Sequence, residues 1–137
     1  MTSEPGLPAE VTALLHRALP SMVHIESLLM LARLAPQPAT RWDIAAELRS
    51  SPALVAAALA DLEGAGLAEA VAGTDGQQHR FAGADPATVR VVASLQDVYD
   101  RKPVTLIRAM YERPAPAAPS AAQAFADAFR VRPADDR

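Results

Sequence analysis

TRWDIAAELRSSPALVAAALADLEGAGLAEAVAGTDGQQHRF, residues 40–81, is the stretch whose reading decides the fold. Thr40, with Asp43 three positions later, has the form of a helix-starting cap. Ile44, Ala45 and Leu48 then give a short helix one inward face. Arg49 to Ser51 is a brief turn. Ser51 followed by Pro52 suits the N-cap and first position of a second helix, whose buried stripe is Val55, Ala58, Leu59 and Leu62. Gly64 and Gly66 stop that helix. Leu67 to Ala72 alternates loosely as a strand, Gly73-Thr74-Asp75-Gly76 is a turn signal, and Gln77 to Ala82, with Phe81 facing inward, returns as the paired strand.

Outward from this run, the chain continues as helices. Pro8 can open a first one, with Val11, Leu14, Leu15, Ala18 and Leu19 on one face, and Pro20 ends it. Ser21 is the expected N-cap of a second, apolar nearly all round through Ile25, Leu28, Leu29 and Ala32 and therefore central. The segment Pro36 to Ala39 breaks it. Beyond the hairpin, Asp85-Pro86 repeats the cap-then-proline start, and Val91, Val92, Leu95, Val98 and Tyr99 recur at helical spacing. Pro103 kinks or restarts that helix, which runs on through Val104, Ile107, Met110 and Tyr111 to about Glu112.

The order helix, short helix, turn, helix, glycine, hairpin resembles the winged helix-turn-helix of bacterial regulators of the MarR and ArsR type. The pattern Leu59-x-x-Leu62-x-x-x-Gly66-Leu67 is similar to the end of a recognition helix entering the wing, and Asp75-Gly76 to the wing tip. The expected fold class is mainly α with a small two-stranded β-wing. The expected organisation is an N-terminal helix over 1–20, the winged helix-turn-helix domain over 21–85 and a kinked helix over 86–113. An Ala-Pro linker over 114–119 and a short amphipathic tail helix over 120–137 complete it.

In such regulators the second helix of the motif lies in the major groove. Here its outward positions are Ala53, Ala56, Ala57, Ala60 and Asp61. None can make the two-pronged Arg–guanine or Asn/Gln–adenine contacts worth about 1–3 kcal/mol each. The resemblance therefore leaves DNA contact to Arg41, Arg49, Ser50 and Ser51 at the helix ends and to His79 and Arg80 on the wing. A rival expectation is an interaction module that binds another protein through the neutral 52–63 face or through the tail without touching DNA. A third role is carried by the helix after Pro86. Val91, Leu95, Val98, Ile107 and Tyr111 either form a homodimer interface, where related regulators place such helices, or close the domain's own core.

Composition bounds the rest. With 137 residues and no cysteine, the chain suits one core with appendages and excludes disulfides, thiolate metal sites and cysteine nucleophiles. Net charge is −3, which gives no general attraction to polyanions. Residues 21–85 carry four basic side chains against eight acidic ones, whereas 86–137 carry eight against six, so affinity for polyanions is expected in the tail half. The acidic, proline-bearing start predicts no secretory signal, and the apolar run Leu28 to Ala32 is far short of the roughly 20 residues that span a bilayer. A cytoplasmic protein without membrane contact is expected. His16, His24 and His79 show no metal-ligand spacing, and Asp97 with Asp100 reads as a solvated helix face. No phosphate loop or nucleophile elbow is present. No catalytic residue, metal or cofactor is predicted. Trp42 is expected to cover a helix junction. Phe125 and Phe129, one turn apart beside Arg130 and Arg132 and after a Ser120/Gln123 cap, are expected to dock either in a partner protein's groove or back on the domain.

Overall fold

Side-chain caps set the starts of four of the six helices among the described residues of the computed structural model, which are 7–73, 76–83 and 85–111. In chain order these residues form α1 (Ala9–Ala18), α2 (Met22–Leu34), α3 (Arg41–Leu48), α4 (Pro52–Gly64), β1 (Ala68–Gly73), β2 (Gly76–Phe81), α5 (Pro86–Arg101) and α6 (Pro103–Tyr111). Ser21 caps α2 by accepting the His24 amide, and Ser51 caps α4 by accepting that of Leu54. Thr40 and Asp43 close a full capping box on α3. Each such cap satisfies an otherwise orphaned amide and typically contributes about 1 kcal/mol. Asp85 does the same for α5 through Ala87, with Pro86 at its first position. Pro103 restarts the chain as α6 rather than kinking one continuous helix. The linker and tail helix expected over 114–137, with Phe125 and Phe129, and the wing-tip residue Asp75 lie outside the described residues.

The hairpin is antiparallel, with register Ala68↔Phe81 through Gly73↔Gly76. Gly66 permits it to leave α4, because its φ of +78° lies in the left-handed region that side chains disfavour. A second attachment comes from upstream. Ala39 and His79 exchange both backbone bonds at 2.8 Å, so the segment entering α3 is stitched to β2. This pairing joins the wing to the start of the helix-turn-helix rather than to α4 alone.

One core runs through the described residues. Leu15, Leu19, Ile25, Leu28, Leu29, Leu31, Ile44, Leu59, Leu62, Leu67, Leu95 and Leu106 are almost wholly enclosed. Burying each such side chain contributes about 1.5–3 kcal/mol before chain entropy is counted. α2 lies at the centre, against α3, α4, β2 and α5, while α1 and α6 pack on α5. This accounts for the nearly all-round apolar character of α2. Across the α2–α5 contact, the Tyr99 hydroxyl donates to Glu26 Oε2 at 2.8 Å. The accepting Glu26 carboxylate, with burial, pushes the Tyr99 phenol above its ordinary pKa. The architecture is a winged helix-turn-helix: α3 and α4 cross over α2, and the β1–β2 ribbon stands beside α4. No helix among the described residues is long and apolar enough to cross a membrane.

Candidate nucleic-acid interface

The turn between α3 and α4 is made by a residue in an uncommon conformation. Arg49 has φ +56° and ψ +45°, and its amide closes α3 onto Ala45 and Ala46. Left-handed backbone costs a residue with a Cβ about 1–2 kcal/mol, which glycine avoids at a smaller cost in unfolded-state entropy. Arg49→Gly is accordingly expected to raise stability by about 0.5–1 kcal/mol in urea unfolding. A drop in stability would show that the arginine side chain is held by contacts worth more than the strain. Its side chain is exposed at the end of the turn, beside Ser50 and the capping Ser51.

α4 divides cleanly into two faces. Val55, Ala58, Leu59 and Leu62 are buried, while Ala53, Leu54, Ala57, Ala60 and Asp61 are exposed and Ala56 is half-buried. Leu54, 58% exposed, is an addition to the expected outward set. On α3 the structure brings a correction: Trp42 is 59% exposed and does not seal a helix junction. Ile44, Ala45 and Leu48 already fill the inward stripe of α3, and position 42 lies off it. The ring instead takes the Arg41 guanidinium at 5.1 Å from its centroid, a contact worth about 0.5–1 kcal/mol at an exposed site. Arg41, Trp42, Ala56, Ala60, Glu63, Gln77 and His79 line a cavity of about 290 Å³ between α3, α4 and β2.

On the wing, both expected DNA contacts are engaged by carboxylates. His79 Nδ1 lies 2.5 Å from Glu63 Oε2, with only 14% of the His79 side chain exposed. Strand alternation explains this, because Phe81 faces inward and His79, two residues earlier, must share its side. His79 is therefore a brace between β2 and α4 and not a free wing cation. Arg80 points the other way and donates from Nε to Glu69 Oε2 at 2.5 Å. Both of those side chains are nearly half exposed. Such surface pairs are worth about 0–1 kcal/mol, so a phosphate can displace Glu69 at small cost.

A second histidine braces α4 from the opposite side. His24 Nδ1 is 2.7 Å from Ser21 Oγ and its Nε2 is 2.8 Å from Asp61 Oδ2, tying the first turn of α2 to the outer face of α4. These two histidine–carboxylate links escaped the sequence because their partners are 37 and 16 residues apart. Electrostatically the face carries slightly more acid than base, with Arg41, Arg49 and Arg80 standing among Asp43, Asp61, Glu63 and Glu69. No three His, Asp or Glu side chains converge as a metal-ion site among the described residues.

The five described residues expected at a dimer interface separate. Leu95 and Val98 are 0% and 4% exposed within this chain's own core, the second of the two roles that their spacing leaves open. They are buried by α5 packing on α1 and α2. Val91 is half-buried against the same core. Ile107 and Tyr111 remain on the surface of α6, 40% and 85% exposed.

No protein-family model matches the chain, and no curated protein matches it. Solved structures similar to it include a double mutant of Lactococcus lactis ZitR in apo form, 18% identical with a TM-score of 0.49. That alignment covers 85% of this chain and 83% of the other. A single-residue mutant of the same protein is 17% identical with a TM-score of 0.44, covering 99% of this chain and 79% of the other. The fold assignment rests on the helix-turn-helix and wing geometry described above.

Proposed function

We propose that this chain is a winged-helix transcriptional regulator that meets DNA through the sugar–phosphate backbone, with little base readout by α4. The observation that carries this reading is the distribution of donors on the helix-turn-helix face. Arg41, Arg49, Ser50, Ser51 and Arg80 lie at the ends of α3 and α4 and on the wing, where phosphates run past a helix seated in the major groove. Between them, α4 offers alanine and leucine. Alanine can touch a thymine methyl but cannot discriminate guanine or adenine edges. Asp61, already held by His24, and Glu63, already held by His79, bring negative charge close to the same groove. Binding by one domain is then weak, and useful affinity comes from a second copy on an adjoining site or from a partner protein.

Salt dependence tests this reading. With three or four phosphates neutralised, log K against log salt should fall with a slope of about −3 to −4. Fluorescence anisotropy with mixed-sequence duplexes at low salt would measure it. Arg41→Ala and Arg49→Ala should each weaken binding uniformly across sequences and reduce the slope by about 1. No binding at low salt defeats the proposal.

A second reading is favoured by Leu54 and Trp42, both more than half exposed on this face. They fit a protein partner seated on α4 with an apolar anchor. Association of that kind would be nearly insensitive to salt and strongly weakened by Leu54→Ser, a variant that adds no charge to the face and so leaves phosphate contacts in place.

A further inference from the structure

We infer that the cavity between α3, α4 and β2 is a binding site for one unstacked nucleobase with its phosphate, presented by a nucleic-acid strand or by a free nucleotide. This rests on the reading that the helix-turn-helix face meets nucleic acid, and adds to it a site that contact with a duplex backbone does not require. Trp42 supplies a ring that lines the cavity yet stays largely open to solvent. Ala56 and Ala60, one turn apart on α4, bring only methyl groups to it. The bare side chains that deprive α4 of base readout are therefore what leave room here. The polar groups come from β2 and α4. Gln77 and His79, two residues apart, share one side of the strand, and His79 Nδ1 meets Glu63 Oε2. Among the described residues no other side-chain hydrogen bond engages Glu63, and none engages Gln77. One carboxylate oxygen and an amide that both donates and accepts are thus left to a ligand. Arg41 adds a cation that is in no ion pair among the described residues.

These groups together select the ligand's chemistry. A purely apolar molecule would bury Glu63 and Gln77 without partners, and a bare anion would face Glu63 while gaining nothing from the ring. A nucleotide answers all three demands: a planar face for Trp42, donors and acceptors along the base edge for Gln77 and Glu63, and a phosphate for Arg41. The volume of about 290 Å³ lies at the small end of ligand pockets, which run from about 300 to 1,000 Å³, and so suits one base rather than several. Arg41 already sits over the Trp42 ring at 5.1 Å, a contact worth about 0.5–1 kcal/mol. Stacking of a base is worth about 1–3 kcal/mol, so a base displaces the guanidinium from the ring. The freed arginine then stands beside the incoming phosphate. Bases inside a duplex are already stacked and paired, and extruding one costs a few kcal/mol. The cavity therefore prefers a base that is unpaired at the outset.

Trp42 is the chain's sole tryptophan, so its emission reports on this cavity alone. The full chain is titrated at low salt with a short mixed-sequence duplex, with the same duplex carrying one unpaired adenine, and with AMP. The two duplexes share their backbone charge and differ by one available base. The bulged duplex should bind about tenfold tighter than the intact one and quench Trp42 emission, the lower part of the range for one stacked base. Trp42→Ala, and separately Ala60→Leu, which fills the cavity from α4, should each erase that preference in an anisotropy titration, whereas Trp42→Phe should keep most of it. Both positions are exposed, and an unchanged thermal transition shows that each variant is folded. Quenching by millimolar AMP without a preference for the bulge assigns the site to a free nucleotide, and the preference assigns it to a strand. Binding of the intact duplex with neither the preference nor quenching by AMP overturns this inference alone. A bulge preference that survives both Trp42→Ala and Ala60→Leu overturns it as well. Quenching by AMP or the bulged duplex with no binding of the intact duplex overturns the backbone-contact reading instead.

Discussion

Leu95→Ala is expected to cost about 2–5 kcal/mol of stability and to lower Tm by about 10 °C, with no change in molecular mass in solution. Leu95 has no exposed surface, and the chain alone encloses it, with α1 and α2 packed against its helix. Truncation removes three carbons' worth of transfer energy and leaves a cavity that the surrounding leucines can only partly fill. A residue at an interface behaves differently. Its loss weakens association and makes the apparent Tm depend on protein concentration. Urea unfolding at two concentrations, with light scattering on the folded protein, separates the cases. A variant that keeps the wild-type Tm but dissociates would restore Leu95 to a partner surface.

That distinction marks the boundary of what the sequence could disclose. Periodicity identifies the apolar stripe of α5 but not what lies opposite, because a helix packed on its own domain and one packed on a second copy have the same 3.6-residue repeat. Local chemistry, by contrast, was legible. Thr40 with Asp43, Ser51 with Pro52, and Asp85 with Pro86 mark helix starts through bonds that span two or three residues, and each stands where those residues place it. The hairpin followed from its turn signal and from Gly66. The alanine face of α4 was legible too, since a stripe of Val55, Ala58, Leu59 and Leu62 leaves only one other side.

Hidden from the sequence were features that depend on distant partners. The backbone exchange between Ala39 and His79 cannot be deduced from either residue alone. Neither can the Asp61–His24 contact, which turns an outward carboxylate into a brace. Trp42 departs from expectation for a different reason. Residue type alone points a large ring in the first turn toward packing, whereas the stripe of Ile44, Ala45 and Leu48 places position 42 to one side. For His79 the sequence does carry a signal, its shared parity with Phe81 on one strand.

Placing arginine on the bare face of α4 should convert weak backbone binding into strong binding. Ala53→Arg with Ala57→Arg puts two guanidinium groups one turn apart, both on exposed positions and both in the half of the helix that approaches the groove floor in helix-turn-helix complexes. If α4 faces the groove, each new arginine gains a base edge or a phosphate. Affinity at low salt should then rise about 10-fold or more per arginine, and the salt slope should steepen by about 0.9 for each phosphate reached. Stability should change little, apart from about 0.3–1 kcal/mol lost by placing a cation in the first turn, against the helix dipole. Charge alone also strengthens DNA binding, so the comparison is Ala9→Arg with Ala13→Arg. That pair has the same spacing and the same charge on exposed positions of α1, away from the helix-turn-helix. Its gain should be small and mostly kinetic, because added charge remote from the contact steers encounter more than it holds the complex. Equal gains from the two pairs would mean that α4 does not enter the groove, and the transcription-regulator reading would give way to the protein partner on Leu54 and Trp42.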